Sequence, residues 1–303
     1  MKAVVTGATG AIGMALLELL EKNRIETLVL CRKGSSRAER IKESEYIKKA
    51  DCSLSEMKDF NAEGEYDVFF HFAWDGTFGE SRDDLYLQND NVRYTLDAVN
   101  LAKRLGCKTF IGAGSQAEYG KREGVISPDT KTFPEMGYGI AKLSAGLFSR
   151  QEAHKLGLAH VWVRIFSVYG PYDTERTMVM STVNKLLSGE TPAFTPAEQM
   201  WDYIYSKDAA RAFLSLAEKG RNGEVYCLGS GAAKPLKEYI CTIRDEINPG
   251  AELNIGAIPY NPKQTMFLEA DIKKLTNDTG FTPIYSFSEG IKETVEFVKK
   301  TSK

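Results

Sequence analysis

Short apolar runs alternate with amphipathic segments along the first half of the chain. Apolar runs predict strands over Lys2–Thr6, Glu26–Cys31, Tyr46–Lys48, Asp67–Ala73, Lys108–Ala113 and Ala159–Ile165. Apolar residues at helical spacing predict helices over Ala11–Lys22, Asp83–Leu105 and Gly137–Leu156. Strands that alternate with helices in this way form a parallel sheet with helices on both faces. The pattern therefore predicts an α/β fold with a doubly wound parallel sheet.

The pattern loosens beyond Gly170, where eight of the ten prolines lie. We expect a dinucleotide-binding domain over residues 1–170 and a smaller, mainly substrate-binding lobe over residues 171–303. The lobe is not contiguous, because elements from about residues 200–230 are expected to return to the main sheet. These elements are a strand over Asp202–Tyr205, a helix over Lys207–Lys219 and a strand over Glu224–Leu228.

The overall charge argues against polyanionic partners. Lys and Arg number 39 against 41 Asp and Glu, so no basic field exists to attract nucleic acid or an anionic membrane. No apolar run approaches the roughly 18 residues of a membrane span. Five scattered cysteines without a CxxC pair, and three histidines without ligand spacing, predict neither disulfides nor a metal site. A reducing, cytoplasmic location fits this usage best.

A glycine series lies directly between the first strand and the first helix. Its sequence, Thr6-Gly7-Ala8-Thr9-Gly10-Ala11-Ile12-Gly13, has the form G-x-x-G-x-x-G. In this context the first glycine permits a tight turn, the second lets a pyrophosphate approach the backbone, and the third allows close packing of helix on strand. The loop is thus a candidate dinucleotide site formed by Gly7, Thr9, Gly10, Ala11, Ile12 and Gly13.

The end of the second strand bears on which dinucleotide binds. NAD-selective sites carry a carboxylate there for the ribose hydroxyls, whereas this chain has Arg32, Lys33 and Arg37. These cations can pair with a 2′-phosphate, so NADP(H) is favoured and NAD(H) remains possible. A solvated basic loop is the alternative interpretation. Asp51, after the third strand, is a candidate partner for the adenine amine.

Three further residues form a candidate catalytic group. Ser115 follows the strand Lys108–Ala113, and Tyr138 and Lys142 lie four residues apart, on one face of the next predicted helix. We expect the Lys142 ammonium to lower the phenol pKa so that Tyr138 exchanges a proton with a substrate oxygen, to which Ser115 donates a hydrogen bond.

Taken together, these features resemble the extended short-chain dehydrogenase/reductase family. The resemblance includes His71-Phe72-Ala73-Trp74, Asn89-Asp90-Asn91-Val92, Ser115 with Tyr119-Gly120, Arg164 to Pro171, and Trp201-Asp202-Tyr203-Ile204-Tyr205. It implies a Rossmann fold and adds Cys52, Phe72, Ala73, Trp74, Asn91, Tyr138 and Lys142 to the cofactor set. It also implies a nucleotide-sugar substrate held by Thr77, Gln116, Ser167, Tyr169 and Trp201.

Departures from the family pattern bear on the reaction. Gln116-Ala117 replaces the Asp-Glu pair of the 4,6-dehydratases, Ser167 replaces an Asn, and Trp201 replaces an Arg that often meets the diphosphate. The sequence therefore favours an NADPH-dependent reductase of a 4-keto (deoxy)sugar nucleotide. An NAD-dependent epimerase is the alternative, and a non-catalytic NADP(H)-binding regulator is a further one.

The resemblance also implies a homodimer, because in the family the two long helices pair between subunits as a four-helix bundle. Both helices carry apolar residues on more than one face, namely Val92, Leu96, Val99, Ala141, Ala145 and Phe148. The alternative is that the second face packs under loops.

Overall fold

A seven-stranded sheet, parallel throughout, forms the centre of the computed structural model, which describes residues 1–261 and 264–301. The strand order is β11-β6-β5-β4-β1-β2-β3. Its strands are β1 (Lys2–Thr6), β2 (Glu26–Cys31), β3 (Ile47–Asp51), β4 (Val68–His71), β5 (Thr109–Ser115), β6 (Ala159–Ile165) and β11 (Val225–Leu228). This arrangement confirms the predicted doubly wound α/β Rossmann fold.

Helices cover both faces of the sheet because successive strand residues point to opposite sides. Val5 and Phe70 pack in one core with α1 (Ala11–Lys22) and α5 (Ser206–Lys219). Their neighbours Val4 and Phe69 pack in a second core with α2 (Leu85–Arg104) and α3 (Gly137–Leu156). The predicted elements of the first half all occur, with bounds that differ by a few residues.

One predicted strand pairing is wrong. The segment expected to return to the main sheet, now β10 (Tyr203–Tyr205), pairs in parallel with β7 (Ser167–Tyr169) in a separate two-stranded sheet. The expectation for the later strand is correct, because β11 pairs with β6. Since β11 takes the place beside β6, that position is closed to β10.

The remaining elements form a smaller C-terminal region. Its helices are α4 (Met178–Leu187), α6 (Leu236–Ile247), α7 (Lys273–Thr279) and α8 (Phe287–Thr301). Its short strands are β8 (Ala193–Phe194), β9 (Met200–Trp201), β12 (Lys234–Pro235), β13 (Asn254–Ile255) and β14 (Phe267–Leu268). Residues of α4, α6 and α8 share one apolar core. Residues 262, 263, 302 and 303 of the predicted lobe lie outside the described part of the chain.

A buried carboxylate joins the C-terminal region to the rest. Asp202 is fully buried, and it accepts hydrogen bonds from the Ser230 backbone and hydroxyl, from the Gly231 N–H and from the Ala270 N–H. Ala270 also forms a β-bridge with Ile126. The late segments are therefore held against the loop that follows β5.

No helix within residues 1–261 and 264–301 is long and apolar enough to cross a membrane. All five cysteines carry free thiols.

Candidate active site

At two positions of the glycine loop, the backbone and the neighbouring atoms leave room only for glycine. Gly7 has a φ of +69°, and a Cβ built there would lie 2.5 Å from the Ala73 backbone nitrogen. A Cβ at Gly13 would lie 2.5 Å from the Ala8 Cα, so this glycine lets α1 approach the loop closely. Around Gly10, by contrast, a Cβ would meet no heavy atom within 4 Å. Gly10 is the N-cap of α1 and makes no side-chain cap bond, so the helix N-terminus faces open space.

A cavity of about 610 Å³ opens beside this loop. The predicted cofactor residues that line it are Gly7, Thr9, Arg32, Lys33, Arg37, Cys52, Ala73 and Trp74. An uncapped helix N-terminus favours a phosphate group, and the cations at the end of β2 add positive charge. The residues present therefore fit a dinucleotide, with its pyrophosphate at the start of α1.

Nine predicted cofactor residues are not among those that line this cavity, namely Gly10, Ala11, Ile12, Gly13, Asp51, Phe72, Asn91, Tyr138 and Lys142. Asp51 is exposed at the end of β3 and is not among the residues that line the cavity. Phe72 packs edge-on against Phe213 in the core, with 4.7 Å between ring centroids. Asn91 is buried, and its amide group bonds both the N–H and the carbonyl of Asp75, at 2.9 and 2.8 Å. Asn91 thus holds the segment after β4 in place.

Ser115 and Tyr138 come together as the spacing predicts. Ser115 ends β5, Tyr138 is the second residue of α3, and the Ser115 hydroxyl lies near enough to the phenol to lower its pKa. Ser115 is also fixed by the turn that follows it, because its hydroxyl accepts from the Ala117 N–H at 3.2 Å. A hydroxyl beside a phenol is an arrangement that can both bind a substrate oxygen and exchange its proton.

The electrostatics of Tyr138 differ from the expectation. Burial raises the pKa of Tyr138 above its ordinary value of 10.0, and the Glu118 carboxylate raises it further. The Ser115 hydroxyl and the charge of Arg82 lower the pKa. Arg82 lies with its guanidinium carbon 4.2 Å from the centroid of the phenol ring. Lys142, which we expected to lower this pKa, is not among the groups that act on it.

Lys142 occupies a buried position of its own. Its Nζ donates to the Ala113 carbonyl at 2.7 Å and lies 3.7 Å from the centroid of the Trp74 ring. The distance from Nζ to the Tyr138 ring centroid is 5.9 Å. Burial lowers the pKa of Lys142 from 10.5 to about 7, against the opposing charge of Glu118. The amine can therefore lose or keep its proton near neutral pH.

A buried ion pair of Glu118 and Arg164 holds the backbone of Ser115 in place. Glu118 is fully buried and accepts from the Ser115 N–H at 2.8 Å, from Trp162 at 2.9 Å and from Arg164 at 2.7 Å. Arg164 also donates to the Tyr119 hydroxyl at 3.0 Å. Sequence reasoning missed this pair, although Ser115 followed three residues later by Glu118 has the form of a capping box.

On the substrate side, two of the residues that depart from the family pattern, Ser167 and Trp201, contact each other. The indole nitrogen of Trp201 donates to the Ser167 hydroxyl at 2.8 Å. Thr77 and Gln116 are partly exposed. Tyr169 is only 1% exposed and donates to the Phe287 carbonyl, so it lies in the core of the C-terminal region. Tyr169 therefore does not reach the surface, where it could contact a substrate.

Within the described residues, no group of three or more His, Cys, Asp or Glu side chains lies close enough together to hold a metal ion.

The fold and the glycine loop define a chain whose cavity fits a dinucleotide beside the N-terminus of α1. It belongs to the NAD-dependent epimerase/dehydratase family, whose sequence model matches residues 3–229.

Curated relatives carry different activities. The dTDP-glucose 4,6-dehydratase of Xanthomonas campestris pv. campestris is 25% identical over 199 residues, which cover 62% of this chain and 57% of that protein. This chain thus spans a little over half the length of that relative. The dTDP-4-dehydro-6-deoxyglucose reductase of Escherichia coli is 24% identical over 311 residues, or 98% of this chain and 97% of that one.

Among solved structures, UDP-glucose 4-epimerase from Thermotoga maritima, determined with UDP-glucose, covers 100% of both chains with a TM-score of 0.88 and 25% identity.

Proposed function

We propose that this protein is a nucleotide-sugar epimerase that oxidises a sugar carbinol to a ketone and reduces it again from the opposite face. The observation that carries the proposal is the placement of Ser115 beside Tyr138, where the two hydroxyls can serve both directions of proton transfer. The likeness to a UDP-glucose 4-epimerase over the whole chain supports it. Gln116 and Ala117, where the dehydratases carry an acid pair, argue against elimination.

The residues divide the work in a simple way. Ser115 donates a hydrogen bond to the reacting oxygen, and Tyr138 accepts the hydroxyl proton during oxidation and returns it during reduction. Arg82 and Ser115 favour the deprotonated phenol that the first step needs. When bound, the nicotinamide ring supplies the acceptor and donor for the hydride. The N-terminus of α1 would hold the pyrophosphate, and Lys142, whose Nζ lies 5.9 Å from the Tyr138 ring centroid, would bind the cofactor.

A reductase is the second candidate, although the sequence pattern alone favours it over the epimerase. The observation that favours it is that Arg32, Lys33 and Arg37 line the cavity, where they can pair with the 2′-phosphate of NADP(H). The reductase of Escherichia coli, matched over 98% of this chain, points the same way. The comparisons favour the epimerase because the full-length structural likeness is to an epimerase.

Cofactor retention separates the two functions. We expect the protein to purify with about one dinucleotide per chain and to interconvert two epimers of a UDP-sugar, with no deuterium entering from labelled dinucleotide added to the solution. The Tyr138→Phe variant, purified in parallel, should keep the dinucleotide and lose the conversion. If the protein purifies empty and consumes NADPH with a 4-keto-6-deoxy sugar nucleotide, the reductase replaces the epimerase.

Cofactor choice is tested by titration of the emptied protein with NAD and NADP. We expect NAD to bind, and Arg32→Ala to weaken NADP more than NAD, because a charge-assisted contact to phosphate contributes about 1.5–3 kcal/mol. Arg93→Ala, on the outer surface of α2, is the matched control. Equal losses for both dinucleotides would show that Arg32 does not contact a 2′-phosphate.

We also propose a homodimer formed by α2 and α3. The exposed apolar residues on these helices include Leu85, Ile140, Leu147 and Phe148, the last of which is 55% exposed. Sedimentation should give a dimer for the native protein and a monomer for Phe148→Glu. Ile284→Glu, which changes an exposed apolar residue outside both helices, should leave the dimer intact. A native monomer would contradict the proposal.

The five free thiols are typical of a reducing compartment, and we propose a cytoplasmic location on that ground.

A further inference from the structure

A cation covers the ring of the acid–base tyrosine, and nothing in the sequence motifs accounts for it. The guanidinium carbon of Arg82 lies 4.2 Å from the centroid of the Tyr138 ring, the distance of a cation–π contact. Arg82 comes from the segment between β4 and α2, which carries none of the candidate catalytic residues.

The segment that carries Arg82 is fixed in place on both sides. The buried Gln88 amide donates to the carbonyls of Gly76 and Ser81, at 2.8 and 2.9 Å. On the other side, Asp83 accepts from the Gly137 N–H at 2.8 Å, one residue before Tyr138. Arg82 is therefore held between two anchored neighbours.

Gly137 allows this close approach. A Cβ at that position would lie 2.8 Å from Leu85 Cδ2 and 3.1 Å from the Arg82 carbonyl oxygen. A glycine at the start of α3 thus lets the segment lie directly against the helix end that carries Tyr138. The Arg82 guanidinium itself donates to the Thr77 carbonyl at 3.3 Å, which limits its movement away from the ring.

Other groups face the phenol from each neighbouring element. Ser115 and Glu118 approach from the end of β5, and Trp74 presents its ring edge-on at 6.0 Å after β4. Lys142, on the same helix, donates to the Ala113 carbonyl and covers the Trp74 ring. Arg82 and Lys142 both lie over the Tyr138 ring, and Arg82 is the closer, at 4.2 Å from the ring centroid against 5.9 Å for Lys142.

We propose that Arg82 is a positioning residue for the reaction, which holds the Tyr138 ring in the cleft and stabilises its phenolate form. The inference rests on the proposed function only in taking Tyr138 as the proton-transfer group. Arg82 thereby takes the role in lowering the phenol pKa that the spacing of Tyr138 and Lys142 predicts for Lys142.

The test measures the phenolate directly, without a substrate. Tetranitromethane nitrates tyrosine through the phenolate, and peptide mass spectrometry follows each tyrosine separately in one sample. We expect Arg82→Met to slow nitration of Tyr138 about tenfold at a fixed pH below its pKa, because a nearby opposite charge shifts a pKa by about one unit or more. The pH at which the nitration rate of Tyr138 rises should move upward by about one pH unit.

The direction of the change in nitration rate distinguishes loss of the Arg82 charge from easier access of the reagent to the Tyr138 ring. Removing Arg82 uncovers the ring, so a role in shielding alone would make nitration faster. Arg82→Lys keeps the charge and should restore most of the rate. Arg93→Met is the matched control, because Arg93 lies 4.6 Å from the Tyr94 ring on the outer face of α2.

An unchanged or faster nitration of Tyr138 in Arg82→Met would overturn the proposal. An equal fall in the Tyr138 nitration rate in Arg93→Met would also overturn it. None of these outcomes depends on whether the protein is an epimerase or a reductase. A protein that shows the nitration effect but no epimerisation would keep this inference and lose the proposed function.

Discussion

A substitution at Glu118 tests how much the buried ion pair of Glu118 and Arg164 stabilises the fold. Glu118→Gln keeps the shape of the side chain and removes its charge. The glutamine can still accept from the Ser115 N–H and from Trp162, but Arg164, only 7% exposed, is left without a buried counter-charge. The expected cost comes chiefly from that stranded guanidinium.

The magnitude follows from the burial. Removing one partner of a buried pair costs about 3–5 kcal/mol, because the other charge stays out of water. The two retained hydrogen bonds place Glu118→Gln near the lower end, at about 3 kcal/mol. A chain of this size loses about 2 °C of melting temperature per kcal/mol, so we expect a fall of about 6 °C.

Thermal unfolding followed by circular dichroism measures this fall. The matched control is Glu26→Gln, which breaks the pair of Glu26 with Lys2 on the surface, where both side chains are about half exposed. An exposed pair contributes about 1 kcal/mol or less. Adding Arg164→Met to Glu118→Gln should restore part of the stability, since no charge is then stranded. Equal losses for Glu118→Gln and Glu26→Gln would refute the reasoning.

Three further outcomes test the site and its surroundings. Tyr138→Phe should lower turnover by about 10²-fold or more and leave dinucleotide affinity nearly unchanged, and undiminished steady-state turnover would exclude Tyr138 as the proton-transfer group. Lys142→Met should melt above the native protein at pH 6, and the gap should narrow as the pH rises, because folded Lys142 releases its proton near a pKa of about 7 and the unfolded chain near 10.5. Burial lowers the pKa values of His71 and His160 from 6.5 to about 3, so the free energy of unfolding in urea should fall as the pH drops from 6.5 towards 4, and a constant value would contradict their burial as neutral rings.

Much of the fold can be predicted from the sequence because local patterns determine it. The alternation of apolar runs with helical spacing depends on residues a few positions apart, and the glycines of the first loop have the separation that a strand–turn–helix connection requires. Ser115 and Tyr138 could be placed together because each is adjacent to an element end that the pattern locates.

The contacts that sequence reasoning missed join residues far apart in the chain. Glu118 and Arg164 are 46 positions apart, and Ser167 and Trp201 are 34 positions apart. No period in the sequence connects such partners, so only the folded backbone brings them together.

The role expected of Lys142 illustrates a different limit. Its spacing from Tyr138 indicates a shared helix face, but the direction of a long side chain depends on its surroundings. Here the Ala113 carbonyl and the Trp74 ring draw the ammonium away from the phenol.

The contacts of Asp202 bear on how this chain was inherited. The family match ends at residue 229, yet the four donors that satisfy this buried carboxylate come from Ser230, Gly231 and Ala270. A gene shortened at the end of the match would encode a chain that lacks these donors, so Asp202 would lose all four hydrogen bonds. We expect the two parts to have changed together, with Asp202 retained wherever the residue 230–270 stretch is retained.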